Sequence, residues 1–205
     1  MYKTPYNVAE SHAEVLEFMK EQTFITLIGY DGDFPVATQV PVETKIEGDS
    51  IKIIGHIMTK TDHCRAFKKS PKVLALYTGA HAYISASVYE NPQSASTWNY
   101  KTVQAKGIIE LLDQEATYQI IKDITNKYEK HGVSSAAFDK MDESYVRKNL
   151  KAITGFEISV SGIDHIFKMS QGHSQYTKKA IISDLQSRGD EMGTLVAKEM
   201  LDNNP

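Results

Sequence analysis

One cysteine, one tryptophan and six prolines are spread over 205 residues, and each scarcity excludes something. Cys64 alone cannot close an internal disulfide, and no Cys/His spacing resembles a zinc site. No apolar run approaches a membrane span, and none follows Met1 as a signal peptide would require. Neither sign of charge dominates. The 23 basic and 26 acidic residues leave a net charge of −3, so no overall basic field would gather nucleic acid, and any DNA contact would need a local patch. Internal repeats, low-complexity stretches and Pro/Gly/Ser linkers are missing. So are a Rossmann fingerprint, a P-loop and a GxSxG elbow. These absences predict a soluble, single-domain protein of a reducing cytoplasm, with no membrane partner. Any nucleotide must be held by some other device.

The pattern that is present is mainly β with helices. Val15, Leu16, Phe18 and Met19 recur at helical spacing within 9–22, with Ser11 and Glu14 as a capping box. TFITLIGY (23–30) reads as a strand, Asp31-Gly32-Asp33 as a turn, and 34–42 as the returning strand. A turn at 47–49 leads into SIKIIGHI (50–57). A short helix over 61–69 closes at Ser70-Pro71, and VLALY (73–77) is a buried-type strand. Residues 100–112 form a long strand with a bend at Gly107. Residues 114–131 have helical spacing with Gly132 as C-cap, and 142–150 is a second short helix. ITGFEISV (153–160) alternates with period two, and 176–201 is two amphipathic helices broken at Gly189. Strands joined in hairpins rather than alternating with helices predict a closed antiparallel barrel. The expected domain covers 1–205, with the barrel at about 20–170 and a helical C-terminal extension at about 175–201.

Residues 81–100, HAYISASVYENPQSASTWNY, are the most informative stretch. Tyr83, Tyr89, Trp98 and Tyr100 stand among Ser85, Ser87, Ser94, Ser96 and Thr97. Planar rings beside hydroxyl donors suit a flat heteroaromatic ligand that also carries hydrogen-bonding edges or a phosphate. An aromatic hairpin at a subunit interface has the same composition. Gly55–Arg65, GHIMTKTDHCR, feeds a strand end and then Thr59, Lys60 and Thr61 into a helix start. Hydroxyls, a cation and free amides at a helix N-terminus make a phosphate seat. An ordinary helix capped by Thr61 has the same sequence. His63 and Cys64 are adjacent on that helix, point to different faces, and do not make a catalytic pair.

Three blocks together resemble the FMN-binding negative transcriptional regulators of the PaiB type: GHIMTKTDHCRAF (55–67), HAYISASVYENPQSASTWNYKTVQAKG (81–107) and ITGFEISVSGIDHIFKMSQ (153–171). Met1-Tyr2 with Pro5, and VAKEM at 196–200, fit as well. The resemblance implies an α+β fold built on an antiparallel split β-barrel of the FMN-binding, flavin-reductase-like kind, a homodimer with FMN at the subunit interface. By position it puts Gly55 and His56 on the strand edge facing the flavin and gives the phosphate to Thr59 and Lys60, with Thr61 and His63 nearby. Tyr83, Ile84 and Ser85 would wall the cofactor. Trp98 and Asn99 would touch the ring or ribityl, and Lys168, Ser170 and Gln171 would approach from the late strand.

The function this implies is a flavin-responsive regulator. The alternative is an FMN-dependent oxidoreductase or flavin reductase using NAD(P)H, with His56, Tyr83 and Trp98 nearest the chemistry. Haem handling through His81 or His173, and a ligand-free dimeric module, complete the range. No helix-turn-helix with a basic recognition helix is visible, and Lys178-Lys179 is the one basic pair that could serve DNA.

Overall fold

A computed structural model describes residues 6–129 and 133–202. The expected Gly132 cap, the last residues of its helix and the Met1–Pro5 match lie outside the described residues. Six strands run β1 (Phe24–Tyr30), β2 (Pro35–Glu47), β3 (Ser50–Met58), β4 (Lys72–Ile84), β5 (Thr97–Leu111) and β6 (Ile153–Lys168). They close in the order β1-β2-β3-β6-β5-β4. The ladders between β1 and β2, β1 and β4, β2 and β3, and β3 and β6 are antiparallel. Helices are α1 (His12–Glu21), α2 (Asp62–Lys69), α3 (Gln114–Tyr128), α4 (Glu143–Leu150), α5 (Gln175–Ser187) and α6 (Glu191–Asp202). The antiparallel barrel with added helices is the fold observed.

The described residues fall into two compact units. The first comprises 19–77 and 104–163. Its strands alternate inward and outward positions: Ile25 and Leu27 are buried while Phe24 and Tyr30 are exposed. Val42, Ile53, Ile57, Val73, Phe156 and Ile158 fill the same core. Tyr77 is fully buried, its hydroxyl 3.0 Å from Thr44 Oγ1, which in turn donates to the Met19 carbonyl. Burial pushes this phenol well above the ordinary tyrosine value. Thr61 caps α2 by accepting from the Cys64 amide. Asp62 lies in the helix's first turn and Lys68 and Lys69 in its last, matching the helix dipole.

The second unit comprises the start of the chain to Phe18, 78–103 and 164 onward. Its core joins Ala82, Ile84, Met169, Ile181, Leu185, Val196 and Met200, so α5 and α6 bury their apolar faces against strand ends. Gly189, at φ +71°, makes the break between those helices, a conformation that side chains disfavour.

Several boundaries differ from the sequence reading: β2, expected over 34–42, runs on to Glu47. The strand expected over 73–77 continues to Ile84, and Thr97–Tyr100 already belong to β5, so the aromatic stretch is two strand ends joined by 85–96. Likewise β6 runs on past Val160 to Lys168. In β4 the next side chains keep the two-residue alternation, Ala82 and Ile84 buried, His81 and Tyr83 exposed, and the ladder has no reason to stop, whereas β6 extends without it, Ile166 and Phe167 being buried in succession.

Candidate functional site

The expected site residues divide between the two units. Gly55, His56, Thr59, Lys60, Thr61 and His63 belong to the first. Gly55 is inward-facing on β3, opposite Phe156 and Val42. A Cβ there would come within 2.7 Å of Phe156 Cζ and 2.8 Å of the Pro41 carbonyl, so packing alone requires the glycine. His56, opposite Gly155, is half-buried with its Nδ1 shielded from solvent and unbonded. Burial holds its pKa below the ordinary value, so the imidazole is neutral near pH 7.

The turn before α2 has already spent its hydroxyl hydrogens. Thr59 Oγ1 donates to the Ala152 carbonyl at 3.1 Å, and Thr61 Oγ1 donates to the Met58 carbonyl at 2.9 Å. Asp62 Oδ1 accepts from the His63 amide and lies 3.2 Å from His63 Nδ1; that amide bond, more than the His63 charge, lowers the Asp62 pKa. The Thr59, His63 and Cys64 amides are bonded as well, so what remains for an anion is chiefly the exposed Lys60 ammonium, which has no partner among the described residues.

The second unit holds Tyr83, Ile84, Ser85, Trp98, Asn99, Lys168, Ser170 and Gln171. Tyr83 and Trp98 are 44% and 52% exposed with ring centroids 5.9 Å apart, edge to face, and His81 lies 6.2 Å from the Trp98 ring. Arg188 donates to the Tyr83 carbonyl at 2.7 Å and fixes the backbone beneath these rings. Trp98 and Tyr83 are therefore available stacking surface. Ile84 is core, and Ser85 caps the short 3-10 turn Ala86–Val88. Asn99 is wholly buried, bonded to Ser170 Oγ and to Met200 Sδ. Gln171 is consumed locally, donating to the Phe167 carbonyl and accepting from the Met169 amide. Lys168 Nζ donates to Thr97 Oγ1 at 2.5 Å. Arg188 was not among the expected residues and had no signal to find it by, since it lies 105 residues from its partner, and His81 was named only as a candidate haem ligand.

The sequence profile of the family described as "Putative FMN-binding domain" matches residues 1–162. The chain belongs to that FMN-binding family. Among its relatives, the "Protease synthase and sporulation protein PAI 2" of Bacillus subtilis is 29% identical over 202 residues, 98% of this chain and 97% of its own. Two solved structures share the fold. The FAD and heme binding protein from Mycobacterium smegmatis has a TM-score of 0.61 at 13% identity, covering 84% of this chain and 78% of its own. The flavocytochrome Anf3 from Azotobacter vinelandii has a TM-score of 0.58 at 14% identity, covering 81% and 74%. The resemblance read from the sequence blocks is thereby shown, and with it the FMN-binding character of the domain.

Each unit by itself holds residues that suit part of a flavin mononucleotide in kind: the first an unpaired cation for a phosphate, the second exposed indole and phenol rings for a flat heterocycle. Of the Lys178-Lys179 pair, Lys178 is buried and Lys179 exposed, while the Lys68-Lys69 and Arg147-Lys148 pairs on α2 and α4 are exposed. No helix among the described residues is long and apolar enough to cross a membrane.

Proposed function

We propose that this protein is a flavin-responsive regulator of the PAI 2 kind that binds FMN at a homodimer interface, with Lys60 taking the phosphate. The observation that carries the phosphate role is the Lys60 ammonium, exposed and unpaired at the turn where α2 begins. A charge-assisted contact of this type is worth a factor of about 10 or more in affinity. Lys60→Ala should therefore weaken FMN by roughly tenfold and leave riboflavin, which has no phosphate, nearly unchanged. Equal losses for both flavins would remove Lys60 from this role.

Bound FMN supplies a redox-active ring; the chain's own residues bind and orient it. The half-exposed Tyr83 and Trp98 rings favour stacking, and Trp98→Ala should weaken FMN and riboflavin alike. His56 adds a neutral imidazole whose shielded Nδ1 lacks a hydrogen bond, a group for which a polar ligand edge would be a partner.

A dimer is favoured by apolar side chains left outside the barrel. Phe24 and Tyr30 stand on the outer face of β1, and Ile28, Leu74 and Ile108 line an open groove of about 400 Å³. Sedimentation equilibrium should give twice the chain mass, and Phe24→Glu should shift it toward monomer.

The second reading, an FMN-dependent oxidoreductase, is favoured by the same half-exposed Trp98 ring, since a nicotinamide could lie against it. NAD(P)H oxidation that scales with FMN occupancy would select this reading. Sluggish reduction of the bound flavin, with a DNA or protein contact that responds to it, would select the regulator.

A further inference from the structure

Two lysines of the second unit are treated in opposite ways. Lys101, buried on β5, is held between two carboxylates, Glu14 at 3.2 Å and Glu199 at 2.5 Å. Lys168, half-buried at the end of β6, has one neutral partner, the Thr97 hydroxyl, and no carboxylate within ion-pair distance among the described residues. A partly desolvated ammonium held by a single hydroxyl has lost hydration that nothing yet replaces.

The space beside it is a cleft of about 450 Å³, lined by Tyr6, Thr97, Lys168, Ser170 and His173 among others. Its rim is rigid. Ser170 stands at φ +59°, the one residue other than glycine with positive φ among the described residues. Such a conformation persists where its surroundings over-determine it, and they do. The buried Asn99 amide grips the Ser170 hydroxyl, the Gln171 side chain bridges Phe167 and Met169, and the His173 amide donates to the Ser170 carbonyl. The His173 ring lies 4.6 Å from the Tyr89 ring, tilted by 44°, and the buried Tyr89 hydroxyl has no partner among the described residues. Glu90 already occupies the start of α5 through Ser174 and Thr177, so the cation available to a ligand is Lys168 and not the helix end.

We propose that this cleft is a binding site for a small anion, a carboxylate or a phosphate monoester, paired with Lys168 and placed beside His173. It departs from the resemblance, which put Lys168, Ser170 and Gln171 at the flavin, and assigns them to a separate ligand. Thr97 and Trp98 are successive residues of β5 and point to opposite faces, so the exposed Trp98 ring is not part of this cleft.

The test is calorimetric titration of the full chain with inorganic phosphate and with succinate, once flavin-free and once loaded with FMN. His173 ring resonances are followed in parallel. Saturable binding of at least one probe is expected, with a shifted His173 signal and equal affinity in both forms. Lys168→Met should weaken it about tenfold or more. Lys168→Gln, which keeps a donor for Thr97 but no charge, serves where the methionine variant does not fold and should show the same loss. The two probes tell a carboxylate site from a phosphate site. Binding by neither probe, binding indifferent to Lys168, or binding abolished by FMN would overturn the proposal, the last because the flavin phosphate would then own the cleft. A wild type that takes up no FMN would sink the flavin reading and leave the flavin-free arm to decide this one.

Discussion

Lys101 concentrates the electrostatics of its unit into one atom. Its ammonium reaches Glu14 of α1 and Glu199 of α6, and it lies 4.8 Å from the centre of the Phe167 ring. The lysine side chain is 8% exposed, its carboxylates 24% and 36%, so the cation bears most of the desolvation. Removing both acids strands a buried charge, whereas removing the lysine leaves two groups that can hydrate. The double variant Glu14→Gln/Glu199→Gln should therefore lose about 3 kcal/mol in urea unfolding, and Lys101→Met only about 1–2 kcal/mol. The reverse order would mean that the carboxylates, not the ammonium, carry the burial cost.

His56 gives the same residue scale a pH dependence. Its folded pKa lies below the ordinary 6.5 because burial disfavours the cation, so the unfolded chain binds more protons. Stability is complete above about pH 6.5 and falls as the pH drops from there through the folded value. In flavin-free protein, His56→Gln should flatten the unfolding free energy across that window. An unchanged slope would show that another group dominates acid loss.

At the scale of elements, α3 is fixed to β6 through one residue pair. The Gly155 amide donates to Thr117 Oγ1 at 2.8 Å, and that hydroxyl donates to the Asp113 carbonyl at 2.6 Å. The helix comes so close that a Cβ on Gly155 would stand 2.8 Å from Ile120 Cδ1. Thr117→Val should cost about 1–3 kcal/mol by leaving the buried Gly155 amide without a partner, while the Asp113 carbonyl keeps the Thr117 amide at 3.0 Å. Gly155→Ala should cost a similar ~1–3 kcal/mol by overpacking. Both should speed amide exchange over Gln114–Tyr128 more than elsewhere, and uniform acceleration would deny that Thr117 is a local latch.

Elements were also where the sequence was most legible. Aromatic and β-branched composition announced β1, period two the start of β6, helical spacing α1 and α3, and Gly189 marked the gap between α5 and α6. The strand ends at 81–84 and 97–100 carried the right alternation but were read as a separate hairpin, because aromatic and hydroxyl composition outweighed period. Side-chain roles were legible only where they were local. Thr61 as a cap follows from its three-residue reach to Cys64. The Asn99–Ser170–Met200 cluster spans 71 and 101 residues, and no spacing rule connects its members. That is why the Asn99 bonds went unread, whereas the Gln171 bonds to Met169 and Phe167, two and four residues away, were local and still unannounced by any spacing rule.

For the whole molecule, the near-balanced charge gives no overall basic field to gather a polyanion, while the exposed rings and the unpaired Lys60 are features that suit a small flat phosphate ester. Family membership over residues 1–162 points the same way. The most direct measurement is a titration of flavin-free protein with FMN, followed by gel filtration with absorbance read in the flavin bands. Co-elution of about one FMN per subunit, with the flavin spectrum perturbed by the protein, is the expected result. A protein that elutes colourless after exposure to excess FMN would contradict the account at its centre.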